Sequence, residues 1–305
     1  MNKILITGAT GFIGSALVER LKSEYRVICH SKTVDNSPSN GDFFQLDING
    51  NSNWKKYLNN VDTIIHLAAV AHNKSNDNNY INEVNVDGTI NLASQAAQCG
   101  VKRFIFISSI GVLGNSTSTP FSELSVPAPH SQYAESKLLA ENTLLKIAQE
   151  SHLEVVIIRP VLVYGVGAPG NFAKLVNLVS KVPVLPFGLC NNQRSFLSVN
   201  NLVDFISICI THPNAKNETF CISDGVDVSI REFTDAIATG LDKKLIQLPI
   251  SLPVIKLFAS MVGKRELIEQ LIGDLTVDIS KAVQLLGWQA SCSMPEVLSH
   301  LVKNK

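Results

Sequence analysis

Residues 1–14 read Met-Asn-Lys-Ile-Leu-Ile-Thr-Gly-Ala-Thr-Gly-Phe-Ile-Gly, and this stretch decides the fold. The apolar run at 4–6 predicts a short strand of the kind that parallel sheets bury. A glycine turn follows at once, and from Phe12 to Leu21 apolar residues recur with helical spacing. A strand, a glycine turn and a helix in this order present backbone N–H groups and a helix N-terminus to a pyrophosphate. The stretch therefore predicts a dinucleotide-binding turn.

The three glycines of this turn, Gly8, Gly11 and Gly14, have the spacing G-x-x-G-x-x-G. Gly8 would permit the tight turn, Gly11 would let the backbone approach the phosphates, and Gly14 would let the helix pack close to the strand. The spacing alone is a weak signal. The strand before it and the helix after it make the prediction specific.

The composition is that of a globular, enzyme-like chain. Its 305 residues, 45% of them hydrophobic, can form a large core in one or two domains. Positive and negative side chains are equal in number, at 26 each, so no bulk nucleic-acid partner is expected. The six cysteines are scattered without a C-x-x-C pair, which is typical of free thiols in a reducing compartment. We therefore expect a cytoplasmic protein, and we predict no metal site.

No apolar run approaches the roughly 20 residues that a membrane span requires. The stretch Leu248–Val262 is apolar, but it contains Pro249, Pro253 and Lys256. Prolines and a lysine at these positions predict a turn followed by an amphipathic helix.

The residues after the second predicted strand, 25–29, bear on cofactor preference. An acidic residue at this position binds the ribose hydroxyls of NAD, whereas a small or basic residue admits the 2′-phosphate of NADP. Here the sequence continues His30-Ser31-Lys32, with no acid before Asp35. Ser31 and Lys32 could both bond a phosphate, so the sequence favours NADP over NAD.

Strands and helices alternate along the first half of the chain. Further strands are predicted at 43–48, 61–69, 103–107 and 155–158, and helices at 83–98 and 131–150. This alternation predicts a doubly wound, mostly parallel α/β sheet of the Rossmann type, with ligands across the carboxyl ends of the strands. Asp47 is expected at the end of its strand, and His66 is expected to be structural rather than catalytic.

Tyr133 and Lys137 are spaced i and i+4, which places them on one face of the predicted helix. An ammonium group near a phenol stabilises the phenolate, so we expect the pKa of Tyr133 to be lowered towards neutrality. Such a tyrosine can remove a proton from a sugar hydroxyl or donate one to a ketone. Ser108 or Ser109, at the end of the neighbouring strand, could share the developing charge.

These motifs together resemble the extended short-chain dehydrogenase/reductases of the NAD-dependent epimerase/dehydratase family, and the resemblance covers essentially the whole chain. The matching segments are Thr-Gly-Ala-Thr-Gly-Phe-Ile-Gly (7–14), His-Leu-Ala-Ala (66–69), Asn-Val-Asp-Gly-Thr (85–89), Ser-Ser-Ile-Gly-Val-Leu-Gly (108–114), Tyr-Ala-Glu-Ser-Lys (133–137) and Arg-Pro-Val-Leu-Val-Tyr-Gly (159–165).

The resemblance assigns a role to each matching residue. It implies that Ser109 is the catalytic serine, Tyr133 the acid/base and Lys137 the cofactor lysine. The expected cofactor-binding residues are Gly8, Gly11, Phe12, Ile13, Gly14, Ser31, Lys32, Asp47, Ile48, Leu67, Ala68, Ala69, Tyr133, Lys137 and Pro160.

The C-terminal part is expected to bind the substrate. Asn171 matches an asparagine that meets the sugar or diphosphate, and Arg194 matches an arginine that clamps the nucleotide phosphates, which suits its planar fork of donors. A second phosphate-binding arginine is not evident, and Lys264 and Arg265 are the candidates. With Ser109 and Tyr133, Asn171 and Arg194 are the expected substrate-binding residues.

The resemblance also implies an organisation into two domains. A Rossmann domain is expected at 1–165 and a smaller substrate-binding domain at 166–305, with residues 196–212 returning to the first. A homodimer through the helices at 83–98 and 131–150 is implied as well.

The resemblance implies action at carbon 4 of a UDP-sugar. Our first expectation is an NADPH-dependent reductase of a UDP-4-keto-6-deoxy-N-acetylhexosamine for surface polysaccharide synthesis, with Tyr133 donating the proton. The alternative is a UDP-glucose or UDP-N-acetylglucosamine 4-epimerase that keeps its NAD. A dehydratase is disfavoured, because Ile110-Gly111 stand where dehydratases have Asp-Glu. A non-catalytic dinucleotide sensor is a further alternative, which the serine, tyrosine and lysine argue against.

Overall fold

The computed structural model describes residues 2–32, 42–71, 78–261, 263 and 265–304. Within them the strands are β1 (Lys3–Thr7), β2 (Arg26–Ser31), β3 (Asp42–Gln45), β4 (Thr63–His66), β5 (Arg103–Ile107), β6 (Glu154–Pro160), β7 (Leu162–Tyr164), β8 (Val184–Leu185), β9 (Arg194–Ser198), β10 (Thr219–Ile222), β11 (Asp227–Val228) and β12 (Ile246–Gln247).

The helices cover the sheet on both faces and build a second lobe. They are α1 (Phe12–Leu21), α2 (Asn78–Asn82), α3 (Thr89–Gln98), α4 (Gln132–Glu150), α5 (Asn171–Lys181), α6 (Val199–Thr211), α7 (Ile230–Gly240), α8 (Leu252–Met261), α9 (Arg265–Ile272), α10 (Ser280–Leu286) and α11 (Met294–Leu298). A π-helical segment, Glu83–Gly88, joins α2 to α3.

The central sheet has seven strands in the order β10-β6-β5-β4-β1-β2-β3. Every pair of neighbours in it is parallel. The strand order reverses between β1 and β4, and a crevice for ligands opens at such a switch point. The predicted doubly wound α/β fold is confirmed.

Strand β1 shows why the sequence folds this way. Its residues Ile4, Leu5 and Ile6 are fully buried. Successive side chains point to opposite faces of a strand. Ile4 and Ile6 therefore join the core with α1 and α6, and Leu5 joins the core with α3 and α4. A strand buried on both faces needs a continuous apolar run, as the sequence provides.

The glycine turn brings α1 very close to the end of β1. A Cβ atom on Gly14 would lie 2.1 Å from the carbonyl oxygen of Gly8 and 2.8 Å from the Cα atom of Ala9. Gly8 has a φ of +69°, a conformation that favours glycine. The predicted roles of Gly8 in the turn and of Gly14 in the packing are confirmed by this geometry.

The second lobe has its own apolar cluster, which α5, α7 and α11 supply. At its centre the rings of Phe196 and Phe233 stack with 3.9 Å between their centroids. This separate cluster supports the proposed division of the chain near residue 165. More of the C-terminal part returns to the first domain than the predicted 196–212, however. Strand β10 completes the central sheet, and Trp288 is buried in the core of the first domain.

Most predicted elements are confirmed, and the differences lie at their ends. Strand β5 has the predicted bounds. The helix predicted from residue 83 begins earlier, at Asn78, and β3 ends at Gln45, so that Asp47 lies two residues beyond it. The predicted turn and helix after Leu248 are confirmed, and the helix is α8, from Leu252 to Met261.

The close approach of Gly14 to Gly8 predicts the effect of a single methyl group. Gly14→Ala should lower the free energy of unfolding by about 1–3 kcal/mol, because the added atom cannot fit without moving backbone. Urea denaturation followed by circular dichroism measures the change. The neighbouring exposed Ser15→Ala should stay within about 0.5 kcal/mol of the parent. Equal midpoints for Gly14→Ala and the parent would contradict the packing argument.

Candidate active site

Two adjoining cavities lie at the carboxyl ends of the strands. The larger has a volume of about 600 Å³ and runs from the glycine turn to Arg194. The smaller, of about 460 Å³, shares Gly8 and Gly11 with it and extends along the end of β2. Volumes of this size suit a cofactor and a substrate.

Apart from Lys264 and Arg265, every residue that the sequence analysis assigned to a site lines one of these cavities. The larger cavity is lined by Gly8, Gly11, Phe12, Ile13, Gly14, Leu67, Ala69, Ser109, Tyr133, Lys137, Pro160, Asn171 and Arg194. The smaller adds Ser31, Lys32, Asp47, Ile48 and Ala68. The structure thus places the predicted cofactor and substrate residues around one continuous space, and their roles there remain proposals.

The glycine turn has the features of a dinucleotide cradle. A Cβ atom on Gly8 would lie 3.0 Å from the backbone nitrogen of Ala68, so the two chain segments leave no room for a side chain there. Helix α1 begins at Phe12 with no acidic residue in its first turn, and its first N–H groups can meet an anion. The buried hydroxyl of Ser108, in the same cavity, has no hydrogen-bond partner among the described residues. These observations fit a bound dinucleotide.

At the other end of the cradle, Ser31 and Lys32 lie in the smaller cavity as predicted. The hydroxyl of Ser31 bonds the hydroxyl of Thr10 at 2.8 Å. The ammonium of Lys32 donates to the phenol oxygen of Tyr80 at 2.7 Å. This bond is the main reason that the pKa of Lys32 is raised. A cation at this rim is compatible with NADP, and Asp47 in the same cavity supplies an acceptor for NAD or NADP.

The proposed catalytic residues come from two elements. Ser109 follows β5, and its Oγ accepts a hydrogen bond from the backbone nitrogen of Gly111 at 3.0 Å. Tyr133 lies in the first turn of α4, which begins where the Ser131 hydroxyl accepts from the nitrogen of Ala134. This N-cap fixes the start of the helix and thereby the position of Tyr133.

Lys137 is buried one turn further along α4. Its ammonium donates to the carbonyl oxygen of Ile107 at 2.8 Å and lies 4.4 Å from the ring centroid of Phe106. The centroid of Tyr133 is 5.9 Å away. The predicted i, i+4 pairing therefore brings both side chains into the cavity, while the hydrogen bond of the lysine goes to the end of β5.

The expected lowering of the Tyr133 pKa is wrong for the protein alone. Burial raises the pKa of Tyr133 to about 12. Burial also lowers the pKa of Lys137 to about 7, which the carboxylate of Glu141 partly opposes. Removal from water penalises both charged forms, and this penalty outweighs the attraction between phenolate and ammonium.

A buried ion pair lies one turn beyond Lys137. The guanidinium of Arg159 binds the carboxylate of Glu141 through both Nε and Nη2, with a shortest distance of 2.6 Å. Both side chains are at most 10% exposed. Because each charge is compensated by the other, neither is left unpaired beside the lysine.

Asn85, in the π-helical segment, fixes the distance between α4 and the chain after β4. It accepts from the backbone nitrogen of Val70 at 2.8 Å and donates to the hydroxyl of Ser136 at 3.0 Å. That hydroxyl in turn donates to the carbonyl oxygen of Tyr133. The motif at 85–89 thus acts on the site through positioning.

His66 is a structural residue, as predicted. Its ring nitrogens bond the hydroxyls of Thr7 and Thr89 at 2.7 and 2.9 Å, and the ring is fully buried. It lies outside the residues that line either cavity. Burial lowers the pKa of His66 well below its usual value, so the ring is held neutral.

Arg194, at the start of β9, and Asn171, at the start of α5, line the larger cavity. The guanidinium of Arg194 donates to the carbonyl oxygen of Gly273 at 2.8 Å. Burial lowers the pKa of Arg194 to about 10, and Asp274 opposes this shift. A partly desolvated guanidinium in a cavity favours an anionic ligand. The other basic candidates, Lys264 and the side chain of Arg265, lie outside the described residues.

Several cavity residues escaped the sequence analysis. They are His130, Asn115, Ile230, Phe233, Gln270 and Leu271 in the larger cavity, and Tyr80, Glu83 and Val84 in the smaller one. His130 stands three residues before Tyr133, which is the one local signal that could have found it. Asn115 directly follows the motif at 108–114. The others come from distant helices, so only the tertiary structure brings them to the site.

The strand order, the glycine cradle and the serine, tyrosine and lysine define an extended short-chain dehydrogenase/reductase. Residues 4–223 match the model of the NAD dependent epimerase/dehydratase family, and the chain belongs to that family. It is therefore an enzyme that uses NAD(P).

Individual proteins are similar over nearly the full length. The chain is 44% identical over 306 aligned residues to the UDP-glucose 4-epimerase of Vibrio cholerae, covering 96% of this chain and 92% of that protein. Its fold matches the UDP-glucuronic acid 4-epimerase of Bacillus cereus in complex with NAD. The identity is 25% and the TM-score 0.80, and the match covers 99% of this chain and 98% of that one. It also matches the structure of the UDP-glucose 4-epimerase of Thermotoga maritima with UDP-glucose. The identity is 25% and the TM-score 0.78, and the match covers 99% of this chain and 97% of that one.

The burial of Lys137 predicts a dependence of stability on pH. The pKa of its ammonium is about 7 when folded and 10.5 when unfolded, so between these values the unfolded chain binds more protons. Stability should therefore rise with pH in this window, by up to about 1.4 kcal/mol per pH unit from this group. Lys137→Met should lack that contribution.

The measurement is urea unfolding of both proteins from pH 7 to 9. Titration of other groups cancels in the difference between parent and variant. A difference that stays constant with pH would contradict the lowered pKa of Lys137.

Proposed function

We propose that the chain is a 4-epimerase of a UDP-linked hexose that works with tightly held NAD. The observation that carries the proposal is the arrangement of one continuous cavity. The glycine cradle, then Ser109, Tyr133 and Lys137, and finally Arg194 all line this cavity. The relative from Vibrio cholerae, an enzyme of that activity, supports the choice of reaction.

Tyr133 is the proposed acid/base. Its phenolate oxygen would take the proton of the C4 hydroxyl when the sugar is oxidised and return it to the C4 oxygen when the ketone is reduced. The hydroxyl of Ser109 would donate to that same oxygen, which becomes more negative in each transition state. NAD, when bound, supplies the acceptor and later the donor of the hydride at carbon 4.

Lys137 would support the phenolate of Tyr133. Its positive charge, and the positive charge of oxidised NAD, both favour the ionised phenol, which burial alone disfavours. The raised pKa of Tyr133 in the protein alone thus keeps the phenol protonated at neutral pH when the site is not loaded. The acid/base would become active only in the assembled site.

Arg194 and Asn171 are the proposed anchors of the substrate. The α- and β-phosphates of a UDP-sugar carry the negative charge that a partly buried guanidinium recognises in bidentate fashion. Residues with little side-chain bulk also line this cavity, among them Gly111, Gly114 and Pro169. This lining supports a reaction in which the keto sugar must present both faces while its diphosphate stays bound.

A second candidate is the 4-ketoreductase of a UDP-4-keto sugar. The observation in its favour is the position of Lys32 at the rim of the smaller cavity, where a 2′-phosphate of NADP could bind. The comparisons favour the epimerase, because the relative with 44% identity is named for that reaction.

A homodimer is proposed through the outer faces of α4 and of the helices at 78–98. On α4 the side chain of Leu139 is 51% exposed, although it is apolar.

In the part of the chain that the structure describes, no helix is long and apolar enough to cross a membrane.

The state of the bound cofactor separates the two reactions. We expect the purified protein to release NAD in stoichiometric amount on denaturation, and to interconvert the C4 epimers of a UDP-hexose without added cofactor. Chromatography of the released nucleotide and of the sugar products measures both. An empty protein that oxidises NADPH with a UDP-4-keto sugar would overturn the epimerase in favour of the reductase.

Removal of one hydroxyl should test the acid/base. Tyr133→Phe should lower kcat by about 10²–10⁴-fold with little change in the affinity for UDP-sugar, because proton transfer is lost while the ring remains. The matched control is Tyr57→Phe, which should keep full turnover. The ring of Tyr57 stacks on Phe44 at the surface of the sheet. Retained turnover in Tyr133→Phe would exclude this role.

A further inference from the structure

Arg194 uses only part of its hydrogen-bonding capacity within the protein. Its Nη1 donates to the carbonyl oxygen of Gly273 at 2.8 Å, and this is the one hydrogen bond of the guanidinium among the described residues. A guanidinium has five N–H donors in a rigid fork. The bond to Gly273 therefore sets the orientation of the fork, and the remaining donors are left for a ligand of the larger cavity, which Arg194 lines.

The side chain of Asn192 bonds the same carbonyl group. Its Nδ2 donates to the carbonyl oxygens of Leu271 and Gly273 at 3.3 and 3.4 Å. Its Oδ1 accepts from the backbone nitrogen of Ile230 at 3.1 Å. The partners are two acceptors and one donor of the backbone, so only one orientation of the amide satisfies all three. Asn192 is buried, with 8% of its surface exposed.

These bonds join the ends of two helices that line the larger cavity. Leu271 lies in the last turn of α9, where carbonyl groups lack a partner within the helix, and Ile230 is the first residue of α7, where N–H groups lack one. Asn192 supplies the missing partner at both ends. Ile230 and Leu271 line the cavity, whereas Asn192 does not. Any influence of Asn192 on a ligand is therefore exerted through its partners.

The chain after α9 continues alongside strand β9. The backbone nitrogen of Leu275 donates to the carbonyl oxygen of Gln193 at 2.9 Å, and the nitrogen of Ser195 donates to the carbonyl oxygen of Leu275 at 2.8 Å. The carbonyl group of Gly273 stands at the α9 end of this short ladder. The amide of Asn192 holds that end in place.

We propose that Asn192 is a positioning residue for the substrate, which holds the Gly273 carbonyl group and thereby aims the guanidinium of Arg194 at the diphosphate of the UDP-sugar. This inference rests on the proposed function, in which Arg194 anchors the diphosphate. Without the amide, the Gly273 carbonyl group and the end of α9 can shift, and the guanidinium turns with them. A fork that bonds two phosphate oxygens at once depends on its orientation, so such a turn costs affinity.

A purely structural role of Asn192 predicts a different result. A buried asparagine with three backbone partners also stabilises the fold, and its loss lowers the free energy of unfolding whatever ligand is present. Positioning predicts in addition a loss of affinity for the diphosphate. It further predicts that this loss disappears once Arg194 has been removed.

Binding of UDP to the full chain, measured by isothermal titration calorimetry, tests the proposal. UDP contains the diphosphate without the sugar. Asn192→Ala should raise the Kd of UDP about tenfold, because the guanidinium is no longer held. The KM of the UDP-sugar should rise by a similar factor while kcat stays within about twofold, since uniform binding is lost. The amount of NAD retained on purification should match the parent, because no partner of Asn192 lines the smaller cavity.

A double-mutant cycle with Arg194→Met separates positioning from general loosening. Arg194→Met should raise the Kd of UDP about tenfold or more, because the guanidinium is lost. Adding Asn192→Ala to it should change the Kd by less than about twofold, because the group that Asn192 positions is gone.

Asn192→Asp divides the two halves of the amide. A carboxylate can still accept from the nitrogen of Ile230, but it has no donor for Gly273 and its second oxygen repels that carbonyl group. Asn192→Asp should therefore weaken UDP binding as much as Asn192→Ala does. Should the alanine variant not fold, the aspartate variant carries the same cycle.

The matched control is Asn201→Ala. Asn201 is fully buried, and its amide bonds the backbone of Cys292, donating to the carbonyl oxygen at 2.9 Å and accepting from the nitrogen at 3.0 Å. It lines neither cavity. Asn201→Ala should lower the free energy of unfolding at least as much as Asn192→Ala, yet leave the Kd of UDP within about twofold of the parent.

Three results would overturn the positioning role. One is an unchanged Kd of UDP in folded Asn192→Ala or Asn192→Asp. Another is a double variant whose loss equals the product of the two single losses. The third is an equal loss in Asn201→Ala. By contrast, Arg194→Met that binds UDP as tightly as the parent would overturn the proposed role of Arg194 as the anchor of the diphosphate.

Discussion

The contact between Gly14 and the carbonyl group of Gly8 is the constraint on which the rest of the molecule depends. Any Cβ atom at position 14 would lie 2.1 Å from that oxygen, so only glycine allows α1 to begin where it does. The start of α1 then sets the position of its N–H groups, and both cavities meet at this turn. The proposed binding of a pyrophosphate and the packing of the first helix thus depend on one close approach.

The proposed catalytic residues are held by buried polar contacts rather than by apolar packing alone. Lys137 is tied to the end of β5, Asn85 ties α4 to the chain after β4, and Arg159 neutralises Glu141. Each of these groups would be costly to bury without its partner. The network therefore permits one arrangement of Tyr133 and Lys137 relative to the sheet.

The features that the sequence motifs predicted correctly are those that depend on backbone geometry. The turn at 7–14 and strand β5 follow from apolar runs and glycines that have few alternatives. The predicted lowering of the Tyr133 pKa was wrong, because the i, i+4 spacing carries no information about how far the phenol is removed from water. His130 and Gln270 were missed because their place in the cavity depends on tertiary packing.

Strand β10 has a consequence for how the protein is made. It pairs with β6, yet it follows that strand by about 60 residues in the chain, and α5, β8, β9 and α6 lie between them. At roughly 5–20 residues per second, a ribosome would need several seconds to complete this interval. During that time β6 would be an unpaired, apolar edge of a growing sheet, which invites pairing with other nascent chains. Synthesis of this fold therefore includes an interval in which that edge is open, and the interval ends only when β10 has been made.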